Sequence, residues 1–212
     1  MKKINRYAHV LTICIILVFI LICSAMPFYP IPYLWQKDFL SALGLTKLPN
    51  GMPNLVSSLL FNFALILSSI MSAGYFILRG NYSSSKIQKY LLWLFGIISG
   101  IGLFGIGIFP YNINPDIHNL CTFIAAGGIG PAIFLSIHSG KKLHFRTSED
   151  ILWCIFGGFV VIIWFTLAYL HACKMLPSTP IAQVNQKMII AFYWIYMFWN
   201  SIILITRTKN KN

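Results

Sequence analysis

The chain is 212 residues long and 58% hydrophobic, with only 9% charged residues where a soluble domain carries roughly 25%. That composition cannot cover a water-exposed surface of normal size, and so little chain is left between apolar segments that a single membrane-embedded domain, 1–212, is expected. The net charge of +12 does not describe a nucleic-acid surface, because the basic residues fall in short clusters beside apolar runs rather than on one continuous face.

Every charged side chain lies outside six windows: 7–36, 48–78, 90–115, 117–140, 151–173 and 188–206. About 20 helical residues cross a hydrocarbon core of roughly 30 Å, so each window can hold one span. A charge at the centre of a membrane helix costs about 2.5–3.5 kcal/mol, which confines charges to the connections. The predicted fold is all-α, a polytopic bundle of six transmembrane helices at about 9–25, 54–78, 90–110, 117–138, 151–171 and 188–206. With the N-terminus inside, the cytoplasmic segments hold three basic residues each. They are Lys2, Lys3 and Arg6; Arg79, Lys86 and Lys89; Lys141, Lys142 and Arg146; and Arg207, Lys209 and Lys211. The outer segments hold only Lys37, Lys47, Lys174 and Lys187. Basic residues in short loops stay on the cytoplasmic side, so both termini are expected there.

The first span follows Lys2 and Lys3 and ends at Cys23-Ser24-Ala25, a pattern shared with signal peptides. Its apolar run has the length of a true span and meets Pro27, Pro30 and Pro32 at once, so it is expected to be retained. In the outer loop that follows, Trp35, Phe39 and Leu43 recur at helical spacing before Gly44, predicting a short interfacial helix over 34–44. The second span carries Ser58, Asn62, Ser69 and Ser72 on one face, a stripe expected to meet other helices. In the third span Gly96-x-x-x-Gly100 permits close approach of a neighbour. The fourth opens with Asn114 as N-cap, Pro115 in the first helical position and Asp116 at the positive end of the helix dipole. Capping does not require His118. Further on, Gly127-Gly128-x-Gly130-Pro131 should loosen the helix, for packing or to make a cavity.

No Asp, Glu, Lys or Arg lies deep in a span, which argues against a proton relay, a voltage sensor or an ion-coupled pump. The outer cysteines Cys23, Cys121 and Cys173 leave a disulfide open, but buried thiols fit the pattern better. The histidines (His9, His118, His138, His144, His171) show no metal spacing, and neither a metal nor a cofactor is expected.

Four short motifs occur in order: Ser41-Ala42-Leu43-Gly44, Leu60-Phe61-Asn62, Gly105-Ile106-Gly107-Ile108-Phe109-Pro110 and His118-Asn119. Together they resemble an uncharacterised prokaryotic six-span membrane family, domain of unknown function 998, itself distantly similar to the damage-regulated autophagy modulator proteins. The resemblance covers roughly residues 10–205. The family pattern often places an acidic residue where this chain has Ala42, which counts against an acid–base role for the loop. What the resemblance implies is a fold, a prokaryotic plasma-membrane location and candidate positions, but no reaction.

The functional expectation is a membrane protein that binds a lipid or amphiphile in an outer-leaflet polar pocket formed by Ser41, Asn62, His118 and Asn119. Its expected partner is membrane lipid, not nucleic acid, and no protein partner is named by the sequence. An enzyme acting on a lipid headgroup would instead use His118 as general acid or base, helped by Ser41 and Asp116. In a third reading, Asn62 and His118 merely bond to loop backbone and tie the loop to the bundle.

Overall fold

The computed structural model describes residues 2–83, 85–136 and 180–209, together with helical positions at 151–152, 155–159, 162–163, 166 and 170. Five helices are long and apolar enough to cross a membrane among these residues: α1 (Lys2–Ala25), α2 (Leu55–Asn81), α3 (Lys86–Ile108), α4 (Pro115–Ser136) and α5 (Pro180–Lys209). A 3-10 helix, Leu40–Gly44, lies in the connection between α1 and α2. Among the described residues there is no β-strand, only an isolated antiparallel bridge between Lys47 and Pro53. Nearly half of the predicted fifth span, the end of the fourth, and Lys141, Lys142, Arg146, Lys174, Lys211, His138, His144, His171, Cys154 and Cys173 lie outside the described residues.

Side-chain contacts fix the registers. Ser72 meets Ser99, and Gly107 packs on the Asn62 carbonyl, so α2 and α3 run antiparallel. Gly105 packs on Cys121 and Gly128 on Ser99, which makes α3 and α4 antiparallel as well. Thr12 bonds Ser201 at 2.8 Å while Ala8 packs with Leu204, so α1 and α5 are antiparallel too. Tyr75 of α2 and Tyr196 of α5 meet edge to face at 5.9 Å and close the core. The start of α2, the end of α3 and the starts of α4 and α5 therefore share one end of the bundle with the α1–α2 connection. It is called the loop end below.

The glycines of α3 serve two neighbours. Gly96 and Gly100 face α2, where a Cβ on Gly100 would fall 3.0 Å from the Ser69 carbonyl oxygen. Gly102 and Gly105 face α4, where a Cβ would collide with Ala125 and Cys121. Backbones this close gain dispersion contacts that larger residues would prevent. The serine stripe of α2 is buried, as its periodicity predicts, but only Ser72 makes an interhelical bond. Ser58 and Ser69 donate to carbonyls of their own helix, Leu55 and Ile66, the usual local alternative for a hydroxyl in a helix.

At the other end, Arg79 is fully buried and its guanidinium donates to the Ser136 carbonyl at 2.7 Å. The Gln88 amide donates to the Leu135 carbonyl at 2.6 Å. Both satisfy acceptors in the last turn of α4, and the cation suits the negative end of the helix dipole. At the α4 N-terminus the expected cap is present, with Ile117 N–H donating to Asn114 Oδ1 at 3.0 Å.

The α1–α2 connection departs from its predicted helix over 34–44. Trp35, Gln36 and Lys37 form a turn in which the Leu34 N–H donates to the Asp38 carboxylate at 2.7 Å, and only Leu40–Gly44 is helical. Capturing that carboxylate closes the turn and leaves Trp35 and Phe39 exposed, while Leu40 and Leu43 are buried. Further along, Gly51 holds φ +88° in the turn closed by its N–H to the Leu48 carbonyl, a conformation costly to any residue with a Cβ. Cys14, Cys23 and Cys121 are free thiols, so no disulfide joins Cys23 to Cys121.

Candidate functional site

Polar side chains at the loop end are spent first on the connection's backbone. Asn54 donates to the carbonyls of Leu43 and Leu45 at 3.1 and 2.7 Å, Ser57 to Leu43 at 3.1 Å, and Asn62 to Gly44 at 3.1 Å. These bonds satisfy the carbonyls of the 3-10 helix that have no partner of their own, which explains three polar residues in the first turns of an apolar helix. From the other side, the Leu40 N–H donates to Gln186 Oε1 at 2.8 Å. The Lys187 ammonium donates to the carbonyls of Asp38 and Gln183 and lies over the rings of Tyr33 and Trp35. Lys187 is only 3% exposed, a cation brought under the connection to find its acceptors. Burial, and after it the Asp38 carboxylate, raises the ionisation of Tyr29 above the usual phenol value and that of Tyr33 well above it.

Beneath this seam lies a partly open cavity of about 340 Å³, lined by parts of α2, α3, α4 and α5, the 3-10 helix, and Gly157 and Gly158. That volume falls within the roughly 300–1,000 Å³ of small-molecule pockets. Ser41, His118 and Gln186 line it at the loop end, whereas Ile133 and Phe134 line it towards the opposite end. The lining stretch of α4, from His118 to Phe134, corresponds to about 24 Å of helix. Most of the wall is aliphatic or aromatic, and among the described residues no Asp, Glu, Lys or Arg contributes to it. Gly130 is part of that wall, and a Cβ placed there meets no atom within 4 Å. The glycines of α4 thus divide: Gly128 gives close packing against α3, and Gly130 leaves space.

His118 is 6% exposed. Its Nδ1 lies 2.9 Å from the Phe109 carbonyl oxygen, and Tyr111 packs edge-on at 5.7 Å. A carbonyl can only accept, so Nδ1 carries a proton, and the neutral ring then presents Nε2 as an acceptor. The Thr122 hydroxyl, also in the wall, donates to the His118 carbonyl at 2.9 Å.

The four residues expected to form one pocket are thereby divided. Ser41 and His118 share the cavity, although 77 positions separate them. Asn62 is not in the wall, because its amide is taken by Gly44. Asn119 is exposed, one residue and about 100° round the helix from His118. Asp116 is also exposed and outside the wall, so of the residues an enzyme would use only Ser41 and His118 meet there. Among the described residues no group of three or more His, Cys, Asp or Glu side chains could hold a metal. Sequence reasoning missed Gln186 and Lys187, whose signal was an adjacent polar pair opening the last apolar run.

No protein-family model, curated protein or solved structure matches this chain.

Proposed function

We propose that this is a six-span integral membrane protein of a prokaryotic plasma membrane, with both termini in the cytoplasm, and that it binds a lipid or other amphiphile in the cavity under the α1–α2 connection. In this reading the loop end faces outward, and the sixth span is supplied by residues 151–171, whose described positions are helical. Its place in the six-span family resembled by the motifs is part of the same proposal and adds no chemistry to it.

The observation that carries the reading is the polarity of the cavity along its length. An apolar trough that begins at Ser41, His118 and Gln186 matches a molecule with one polar end and one hydrocarbon chain.

Gly130→Leu tests the reading, since a Cβ there meets no existing atom within 4 Å and the rest of the side chain would occupy the space a ligand needs. Gly127→Leu is its control: that position is equally open but outside the wall. Lipid retained through purification, measured by native mass spectrometry, should fall severalfold in Gly130→Leu and stay at the wild-type level in Gly127→Leu. Equal retention in both would mean the cavity holds no ligand.

A further inference from the structure

Resting on that reading of the cavity, we propose that its ligand has a neutral, hydroxyl-bearing head, as in a monoacylglycerol, and not a carboxylate or phosphate. The argument is a count of donors and acceptors at the polar end. His118 donates through Nδ1 to the Phe109 carbonyl, so the lone pair that its neutral ring has left is on Nε2, and His118 is part of the cavity wall. Gln186 is committed in the opposite sense. The Leu40 N–H requires an acceptor, which fixes the Gln186 oxygen on that side and leaves the amide N–H groups to donate. Ser41 completes the wall with a hydroxyl that does either.

A ligand head must therefore donate to His118 and accept from Gln186 and Ser41. A hydroxyl does both, and a glycerol head brings two of them. A carboxylate or phosphate only accepts, so it sets its lone pairs against the Nε2 lone pair. Among the described residues no cationic side chain lines the cavity, so none of them supplies an anion with a counter-charge. Lys187 is next to Gln186 in sequence, but its ammonium is turned to the carbonyls of Asp38 and Gln183 and covered by Tyr33 and Trp35. An imidazolium at His118 would accommodate an anion, but it would itself be a charge without a partner in an apolar wall.

The experiment compares monolaurin, laurate and lauryl phosphate, which share a chain and differ in head. Binding to the purified full-length protein is measured by native mass spectrometry at neutral pH. Monolaurin should bind at least about tenfold more tightly than either anion, a difference of about 1.4 kcal/mol, and Gly130→Leu should abolish its binding. In His118→Asn the side-chain amide can still donate to Phe109, as Nδ1 does, but the acceptor at the Nε2 position is gone. That variant should lose the preference for monolaurin while still folding, judged by an unchanged thermal midpoint. Anions that bind as tightly as monolaurin, in a manner Gly130→Leu abolishes, would overturn the head chemistry and leave the cavity reading intact. Binding of all three that ignores Gly130→Leu, or no binding at all, would overturn both. A monolaurin preference that survives His118→Asn would remove His118 from recognition and with it this inference.

Discussion

The Leu40 N–H and the Gln186 side-chain oxygen meet at 2.8 Å across 146 positions of sequence, joining the connection after the first helix to the start of the last. On its other flank the same connection is held by Asn54, the N-cap of α2, and by Ser57 and Asn62 within α2. The cover of the cavity is thus fastened along two seams. The α2 seam is made by four bonds to three carbonyls, and the α5 seam by Gln186 and Lys187.

Gln186→Leu should release part of the α5 seam without touching the α2 seam. The lost bond is expected to cost about 0.5–1.5 kcal/mol, with the Leu40 N–H left to find water. Since 1.4 kcal/mol is a factor of ten, protease cleavage between residues 26 and 40 should rise by up to about tenfold. Limited proteolysis of protein in nanodiscs measures this directly. A wild-type cleavage rate would mean that the Gln186 bond does not hold the cover.

Lys187→Met should be more damaging than its chemistry suggests at first sight. Methionine keeps most of the length and the apolar stem but cannot donate to Asp38 and Gln183. Bonds from a charged donor are worth about 1.5–3 kcal/mol each, partly offset here because a buried cation no longer has to be desolvated. The thermal midpoint should fall clearly, whereas Lys37→Met, at an exposed position of the same connection, should leave it within error. A midpoint that rises in Lys187→Met would show the ammonium to be held at a net cost, for function and not for stability.

The span positions were legible because lipid imposes a rule on every residue: twenty or so apolar positions, charges outside. The α4 cap was legible for a similar reason, since Asn114, Pro115 and Asp116 act within one turn. What could not be read was where a polar side chain turns when two acceptors compete for it. Asn62 and Asn119 had the right depth for a pocket, but Gly44 took the first and helical rotation moved the second outward. Lys187 was read as a topology charge, because its partners lie 149 and 4 positions away and only the first, Asp38, explains its burial. Gly130 and Gly128 look alike in sequence, and only the packing of α3 against one of them tells them apart.

The orientation proposed above has its own test. If both ends lie in the cytoplasm, the number of crossings is even, and five described spans require the one at 151–171. On a cysteine-free background, Lys47→Cys, exposed in the α1–α2 connection, should label from outside with a membrane-impermeant maleimide. Ser85→Cys, exposed before α3, should label only after the membrane is opened. A cytoplasm-only reporter fused after Asn212 should be active. The reverse labelling pattern would invert the whole molecule and place the cavity's polar end at the inner leaflet.

Helix packing gives the last comparison, between Gly100→Leu and Ser72→Ala. Both positions lie in the α2–α3 interface, and hydrogen bonding alone would make Ser72 the sensitive one, because it bonds Ser99 in a buried place. The surroundings reverse that order. In Ser72→Ala the Ser99 hydroxyl still donates to the Gly96 carbonyl at 2.8 Å, so that donor is not stranded. Interhelical bonds in membrane bundles average about 0.6 kcal/mol, which sets the size of the loss. At Gly100 even a Cβ would stand 3.0 Å from the Ser69 carbonyl oxygen and 3.2 Å from the Ala73 Cβ, and the remaining leucine atoms have nowhere to go unless α2 moves away. Separating the helices would cost about 1–3 kcal/mol or more in overpacking strain and would also stretch the Ser72–Ser99 bond. Thermal midpoints in detergent should therefore drop far more for Gly100→Leu than for Ser72→Ala. A double variant should lose less than the sum of the two, because the leucine has already weakened the bond that the alanine removes. Additive losses would mean that α2 and α3 part locally at Gly100 and remain in register at Ser72.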